Sequence, residues 1–260
     1  MPKENLEHLI YAPVPHKGYS IRAKSPGTNE SEFIGSVKDW MVPFDQHLFK
    51  PTFECRMISS TPTNTLFLSR FFEKSKNLDE LKRGGVVWHI TAIPEELLKR
   101  GLSLKAVDQS LIQYEQNNGV PLGEMKSLEV SPETTTKDTD LSKMQKLIPE
   151  ESSRKILNAF EKDNAKVLVI CKGNIWDRIE LFLTLSKFLV KCGIKNFSST
   201  SEFPKEIILK VSKNVLVISG YLPSIKPGSG WTIINLSKKE SETGINKEIT
   251  EKTLEDIYKT

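Results

Sequence analysis

Four histidines (His8, His16, His47 and His89) and three cysteines (Cys55, Cys171 and Cys192) are the side chains in this sequence best suited to acid–base, nucleophilic or metal chemistry. Their spacing organises none of these. No HExxH or paired CxxC occurs, and the cysteines do not complete a tetrahedral zinc set. There is no GxSxG elbow and no kinase signature. His89 lies inside the apolar run Val86-Val87-Trp88-His89-Ile90-Thr91, where a hydrogen-bonded core histidine is the plain reading and a general base the alternative. A Cys171–His89 pair, with Tyr19 nearby, is the one enzymatic arrangement to test; a thiolate there would need an accessible, electropositive setting.

Two stretches could hold anions. KVLVICKGN followed by a helix has the outline of a strand–loop–helix phosphate site, but it lacks both the GxxxxGK[ST] and the GxGxxG glycines. Ordinary βα packing is the plainer reading by a wide margin. The run from His16 to Gly27 interleaves aromatic and basic residues, so Lys17, Tyr19, Arg22 and Lys24 form a candidate binding face with His89 as a fifth candidate. Lysine and arginine there could meet phosphate or carboxylate, and the alternative is a solvated strand face.

The elements that must position these residues follow from periodicity. Leu6–Ala12 and Tyr19–Lys24 read as a hairpin across VPHKG, with Tyr19, Ile21 and Ala23 on one face. Phe33, Ile34, Val37, Trp40 and Met41 make one helical stripe that Pro43 ends. Strands follow over 52–59, 65–72 and 86–91, then two helices broken near Gly101. The segment 121–147, rich in Ser, Thr, Asp and Lys, reads as an exposed linker. Beyond it come a helix over 149–163, a buried strand 166–171 and a strong helix 175–191. Residues 207–211 could be helix or strand. Strands 214–219 and 231–236 read as a pair joined by a plain hairpin connection through GYLPSIKPGSG, and a charged helix over 246–258 comes last.

The expected fold is therefore α+β: an N-terminal α+β subdomain over 1–120, the linker, and a C-terminal α/β subdomain over 148–260, each a small mainly antiparallel or mixed sheet covered by helices. With 260 residues, 38% hydrophobic and 27% charged, the chain can bury a core. A net charge of +4 from 37 basic and 33 acidic residues permits a nucleic-acid partner without arguing for one. An odd cysteine count without CxxC, no signal architecture and no long apolar segment predict a soluble cytoplasmic protein with no disulfide framework and no membrane contact. With no ligand spacing in the sequence, no metal or cofactor is expected.

YAPVPHKGYSIRAKSPG, through Tyr11, Gly18, Tyr19, Ala23, Ser25, Pro26 and Gly27, resembles the opening of the N-terminal domain of the GTPase-associated protein family. RGGVVWHIT, with Gly84, Gly85 and His89, is similar to that family's glycine-rich lead into a histidine-bearing strand. The order of the later elements also resembles the family's. The resemblance implies an adaptor or regulatory component acting beside a small GTPase in a prokaryotic multi-component system, here as a stand-alone core. It points to a non-enzymatic interaction module with Arg22 as the only arginine-finger candidate; an anionic-ligand or nucleic-acid binder is the alternative, and an enzyme with a site near His89 the third reading.

Overall fold

The computed structural model describes residues 3–45, 54–76, 83–130, 146–162, 164–201, 214–220 and 230–236, with the side chains of 39–45, 73–76 and 83–84 left aside. The expected elements at 207–211 and 246–258, His47, and residues 131–145 lie outside these. The fold is mixed α+β. The chain divides into two compact units, the first mainly Met1–Thr134 and the second mainly Thr135–Lys205 with Val211–Thr260.

In the first unit β1 (Glu4–Leu6) precedes a hairpin of β2 (His8–Val14) and β3 (Gly18–Lys24), then α1 (Glu30–Asp45). Next come β4 (Glu54–Ser60), β5 (Thr65–Lys76), β6 (Arg83–Pro94), α2 (Glu95–Lys99) and α3 (Leu104–Asn118). Two short strands, β7 (Gly123–Glu124) and β8 (Leu128–Val130), complete it. The main sheet runs β4-β5-β6-β2-β3-β7, antiparallel except at β3–β7, while β8 pairs with β1. Pro43 does not end α1, which continues to Asp45. A proline this near a helix end gives up only one of the last hydrogen bonds.

Successive side chains of a strand point to opposite faces, and directly paired residues share a face. Phe67, Phe71, Trp88 and Ile90 therefore face one way, where the Phe33 ring of α1 meets Phe67 edge-on at 5.1 Å and Phe71 meets Trp88 at 4.7 Å. Each of these large apolar side chains contributes roughly 1.5–3 kcal/mol by leaving water. Arg56, Arg70, His89, Ile10 and Ala23 face the other way in one transverse row, linked pair by pair across β4, β5, β6, β2 and β3. The row's polar residues lie under α3. Covered on both faces, β6 reads as the near-continuous apolar run seen in the sequence.

Two expectations about this unit change. The face grouping Tyr19, Ile21 and Ala23 is broken by a β-bulge: Ile10 pairs with Ala23 but Tyr11 pairs with Ile21, leaving Arg22 as the extra residue. Ala23 is thereby turned inward beneath Ile10, while Tyr19 and Ile21 keep the opposite face with Tyr11. The linker also starts later than expected, because Met125, Leu128 and Val130 are buried in the first unit. Three apolar side chains among many polar ones suffice to dock the segment, and composition averaged over 121–147 hides them.

In the second unit α4 (Glu150–Phe160) and β9 (Lys166–Ile170) lead to α5 (Ile175–Lys191), then β10 (Phe197–Thr200), β11 (Asn214–Ser219) and β12 (Trp231–Asn235). The strand order is β12-β9-β11-β10, and all three pairings are parallel. β11 and β12 flank β9 on opposite sides and run the same way, so the expected hairpin between them is absent: a hairpin joins adjacent antiparallel strands. Both faces of a parallel sheet are covered, which accounts for the apolar runs KVLVI and NVLVIS.

Two glycines test this packing in opposite directions. A Cβ at Gly85 would stand 2.7 Å from Pro13 Cγ and 3.1 Å from Tyr19 Oη, whereas one at Gly35, within α1, meets nothing within 4 Å. Gly85→Ala should lower stability by about 1–3 kcal/mol through overpacking at the β2–β3 hairpin. Gly35→Ala should raise it by about 0.5–1 kcal/mol through helix propensity. Urea denaturation midpoints of the two variants check both signs.

Candidate functional site

The transverse row under α3 joins Glu54, Arg56, Arg70, Asp108, Glu115, His89 and His8 of the first unit into one largely buried chain. Arg56 on β4 is wholly buried, and its Nε donates to Asp108 Oδ1 of α3 at 2.5 Å. Glu54, two residues before Arg56 on the same face, bridges Arg56 at 3.6 Å and pairs with Arg70 of β5. Arg70 reaches Glu115 Oε2 at 3.2 Å and lies over the Phe72 ring at 5.6 Å. Glu115 Oε1 is 2.8 Å from His89 Nδ1, and His89 Nε2 is 2.8 Å from His8 Nδ1 on β2. His8 Nε2 then meets the Lys126 carbonyl at 2.6 Å. Tyr114 covers both imidazoles edge-on.

α3 is built to lie here. Ser103 caps its start by accepting from the Ala106 amide, and Gly119, with φ of 65°, ends it in a conformation glycine adopts at little cost. Asp108 and Glu115 are two helical turns apart and so share a face. The helix rises about 15 Å from Asp108 to its last residue, Asn118, at 1.5 Å per residue. Three strand spacings from β4 to β2 come to roughly 14 Å. The helix can thus place Asp108 at Arg56 and Glu115 at Arg70 and His89, and the two residues that follow it bring the Val120 carbonyl to Arg22.

Burial sets the ionisation. Desolvation lowers His89 to about 3, with Arg70 adding to the effect. Desolvation and the neighbouring His89 bring His8 to about 4. Desolvation raises Glu115 to about 8 even though Arg70 and Arg56 oppose it. The shift on Glu115 and its contact with Arg70 pull in opposite directions, and we assign Glu115 as the protonated acid. The neutral imidazole beside it needs a donor, and Arg70 already has the Glu54 carboxylate. Near neutral pH the imidazoles are uncharged and the arginines are matched by Glu54 and Asp108.

The expected site residues are distributed otherwise. His89 is at the centre of this chain and fully buried. Lys17 lies at the hairpin tip, where its amide donates to the Val14 carbonyl. The Tyr19 hydroxyl accepts from the Val86 amide, and its ring stacks on Tyr11 at 6.2 Å. The Arg22 guanidinium donates to the Pro13 and Val120 carbonyls at 2.7 and 3.2 Å, tying the bulge to the end of α3. Lys24 is paired with Glu30 at 2.7 Å. Lys17, Tyr19, Arg22 and Lys24 thus belong to the hairpin and its supports, apart from the buried chain that holds His89. Among the motif residues the resemblance singled out, Ser25 accepts from the His8 amide and donates to Glu7. Gly27, at φ of 81°, makes the turn beside it.

In the second unit, the start of α5 is closed to an outside anion. Asn174 Oδ1 accepts from the Trp176 and Asp177 amides at 2.8 and 3.0 Å, and Asp177 Oδ2 accepts from the Asn174 amide. This capping box fills the positions a phosphate would take and adds a negative charge. Cys171 sits beside Asp177 and Arg178, and burial followed by Asp177 raises its thiol pKa, the reverse of nucleophile activation. Cys55, Cys171 and Cys192 form no disulfide. Among the described residues no group of three His, Cys, Asp or Glu side chains could hold a metal ion, and no helix is long and apolar enough to cross a membrane.

Arg56, Arg70, Glu54, Asp108, Glu115 and His8 were not anticipated as a set. The available signal is arginine placed inside apolar strands (ECRMISS and FLSRFFE) together with acids seven residues apart on the following helix. No protein-family model matches the chain, and a search of curated proteins finds no match either.

Two measurements probe the chain. Between the folded values of His8 and His89 and the ordinary 6.5, the unfolded state binds more protons, so each ring makes stability rise with pH. Between the ordinary 4.5 of Glu115 and its folded value of about 8, the folded state binds more and stability falls. Each group contributes about 1.4 kcal/mol per pH unit at most. The sum rises to a maximum near 6.5, and then declines towards 8. Denaturant midpoints across that range should show the maximum, and Glu115→Gln should flatten the decline above it. Separately, Asp108→Ala should cost about 3–5 kcal/mol by stranding a buried guanidinium, and an Arg56→Met, Asp108→Leu double variant should recover most of that loss. Thermal unfolding of the three proteins compares them.

Proposed function

We propose that this chain is a non-catalytic protein-interaction or regulatory module acting in the cytoplasm with a small GTPase or a component of its system. The observation that carries the reading is the closure of the chemistry-bearing cluster. From Asp108 to His8 each ionisable tip reaches another protein group, and His89 has no exposed surface for a substrate to reach. Such an arrangement holds a scaffold in shape. The choice of a GTPase rests on the resemblance over residues 11–27.

The module reading also fits what remains outside. Tyr19 and Trp176 are large aromatic side chains with 38% and 57% of their surface exposed. Aromatic residues of this kind anchor protein interfaces. The nucleic-acid or anionic-ligand alternative draws on Lys17, Arg22 and Lys24, but Arg22 is engaged by two carbonyls and Lys24 by Glu30. An arginine-finger role for Arg22 would have to break both carbonyl contacts.

Immobilised protein should retain a GTPase from its own system, with retention persisting in moderate salt and falling about tenfold or more for Trp176→Ala. GTP hydrolysis by the retained enzyme should change far less than the 10³–10⁵-fold that an arginine finger supplies. Failure to retain any such GTPase, with no change in nucleotide exchange or hydrolysis, would overturn the proposal. Binding lost steeply with rising salt would favour the anionic-ligand reading.

A further inference from the structure

The end of the buried chain is fixed by an atom that cannot donate. The Lys126 carbonyl only accepts, so the proton of the 2.6 Å contact sits on His8 Nε2. A neutral His8 then offers Nδ1 as an acceptor, and the proton of the 2.8 Å contact between the rings must sit on His89 Nε2. A neutral His89 in turn offers Nδ1 as an acceptor towards Glu115 Oε1, and that bond too needs a proton, carried by the carboxyl group. Three hydrogen bonds in series require three protons, all oriented one way. An imidazolium at His89 facing a carboxylate at Glu115 gives the same count.

We infer that His8, His89 and Glu115 form a proton wire that works as a pH-sensitive latch on the Gly123–Val130 segment, closed when all three bonds hold a proton and loosened when one proton leaves. The consequence of losing a proton follows from the same connectivity. A Glu115 carboxylate would face a lone pair on His89 Nδ1. That repulsion is relieved if His89 moves its proton to Nδ1 and His8 does the same. The proton-free contact is then His8 Nε2 against the Lys126 carbonyl, where two acceptors 2.6 Å apart repel. This end yields most readily, since the bond to Lys126 is partly exposed while His8 and His89 meet in a fully buried contact.

The groups that face this wire bound its behaviour. From α3 these are Asp108 and the Tyr114 ring; from β4, Glu54 and Arg56; from β5, Arg70; and beside His8, Glu7. Arg70 stabilises the carboxylate and opposes burial, so Glu115 is the member that releases its proton first, with a raised pKa of about 8. Apart from the Lys126 contact, the segment is held by the β3–β7 pairing, by the Met125 amide donating to the Lys24 carbonyl, by the three-residue β1–β8 ladder and by the buried Met125, Leu128 and Val130. The loosening is therefore confined to the short stretch around Lys126, between β7 and β8. The segment is also the last described stretch of the first unit before the chain passes into the second.

The test uses the full chain, uniformly labelled with nitrogen-15 and carrying His16→Gln and His47→Gln, so that only the rings of His8 and His89 report. Imidazole nitrogen spectra should show both rings protonated on Nε2 near pH 6.5. Both should convert to the Nδ1-protonated form in one transition as the pH rises through the region of 8. Over that transition amide exchange within residues 125–128 should become about tenfold faster than in Glu115→Gln, compared at each pH. In that variant the side-chain amide donates permanently to His89, so both rings should keep Nε2–H throughout. Nδ1–H tautomers near pH 6.5 would overturn the inference. So would a Glu115 titration that leaves both rings unchanged, or an Nε2-to-Nδ1 conversion that persists in Glu115→Gln. If Glu115→Gln does not fold, the ring tautomers of the labelled protein across pH still decide between these outcomes.

Discussion

Two buried guanidinium groups govern the first unit. Taking Arg56 and Arg70 out of water costs several kcal/mol per ion, which only close carboxylates in good geometry can offset. The sheet supplies one of these, Glu54, from the same strand face. The others must come from whatever covers that face. α3 is therefore constrained in register as well as in position: a one-residue slip turns Asp108 and Glu115 about 100° around the helix and strands both cations. An apolar interface would have tolerated such a slip far better. The ion pairs restrict α3 to one docking, while well-packed apolar residues in their place would hold it about as strongly.

The histidines inherit their state from that arrangement. Burial makes an imidazolium at His89 unfavourable, and Arg70 beside it adds to the effect, so the ring stays neutral and must share its nitrogens between one donor and one acceptor. Glu115 is caught between Arg70, which favours the carboxylate, and a dry interior, which favours the acid. Its proton is the one degree of freedom left in a cluster otherwise fixed by arginines and carboxylates. The chain ends on a main-chain carbonyl, so the state of that proton is felt by the backbone at Lys126.

Element order was legible from periodicity because each element buries a face whose spacing shows in the residues: the stripe of Phe33 and Val37, the run through Trp88, and the helix from Ile175. What was not legible depends on contacts distant in sequence. Nothing in Tyr19–Lys24 announces a bulge at Arg22, since the register is set by β2 and by the Val120 carbonyl nearly a hundred residues away. The parallel placement of β11 and β12 about β9 leaves the same apolar runs as an antiparallel pair would. The buried chain was hidden for a related reason. Its members sit on β2, β4, β5, β6 and α3, and each alone resembles an ordinary polar residue of its element.

A buried row of charge and imidazole is chemically capable, and what separates a catalytic site from a structural one is access. A general base must reach a substrate proton within hydrogen-bond distance or through one water. His89 has both nitrogens engaged, by His8 and by Glu115, and Tyr114 stands against both rings. To act on a substrate it would have to break a bond in a low-dielectric setting, where an unpartnered polar group costs about 1–3 kcal/mol. It would also need α3 to lift away from Arg56 and Arg70. The cheaper motion is at the other end, where one carbonyl on a short connecting segment can move aside. The same row that shields His89 from a substrate is thus suited to transmitting a change of charge into a change of backbone contact.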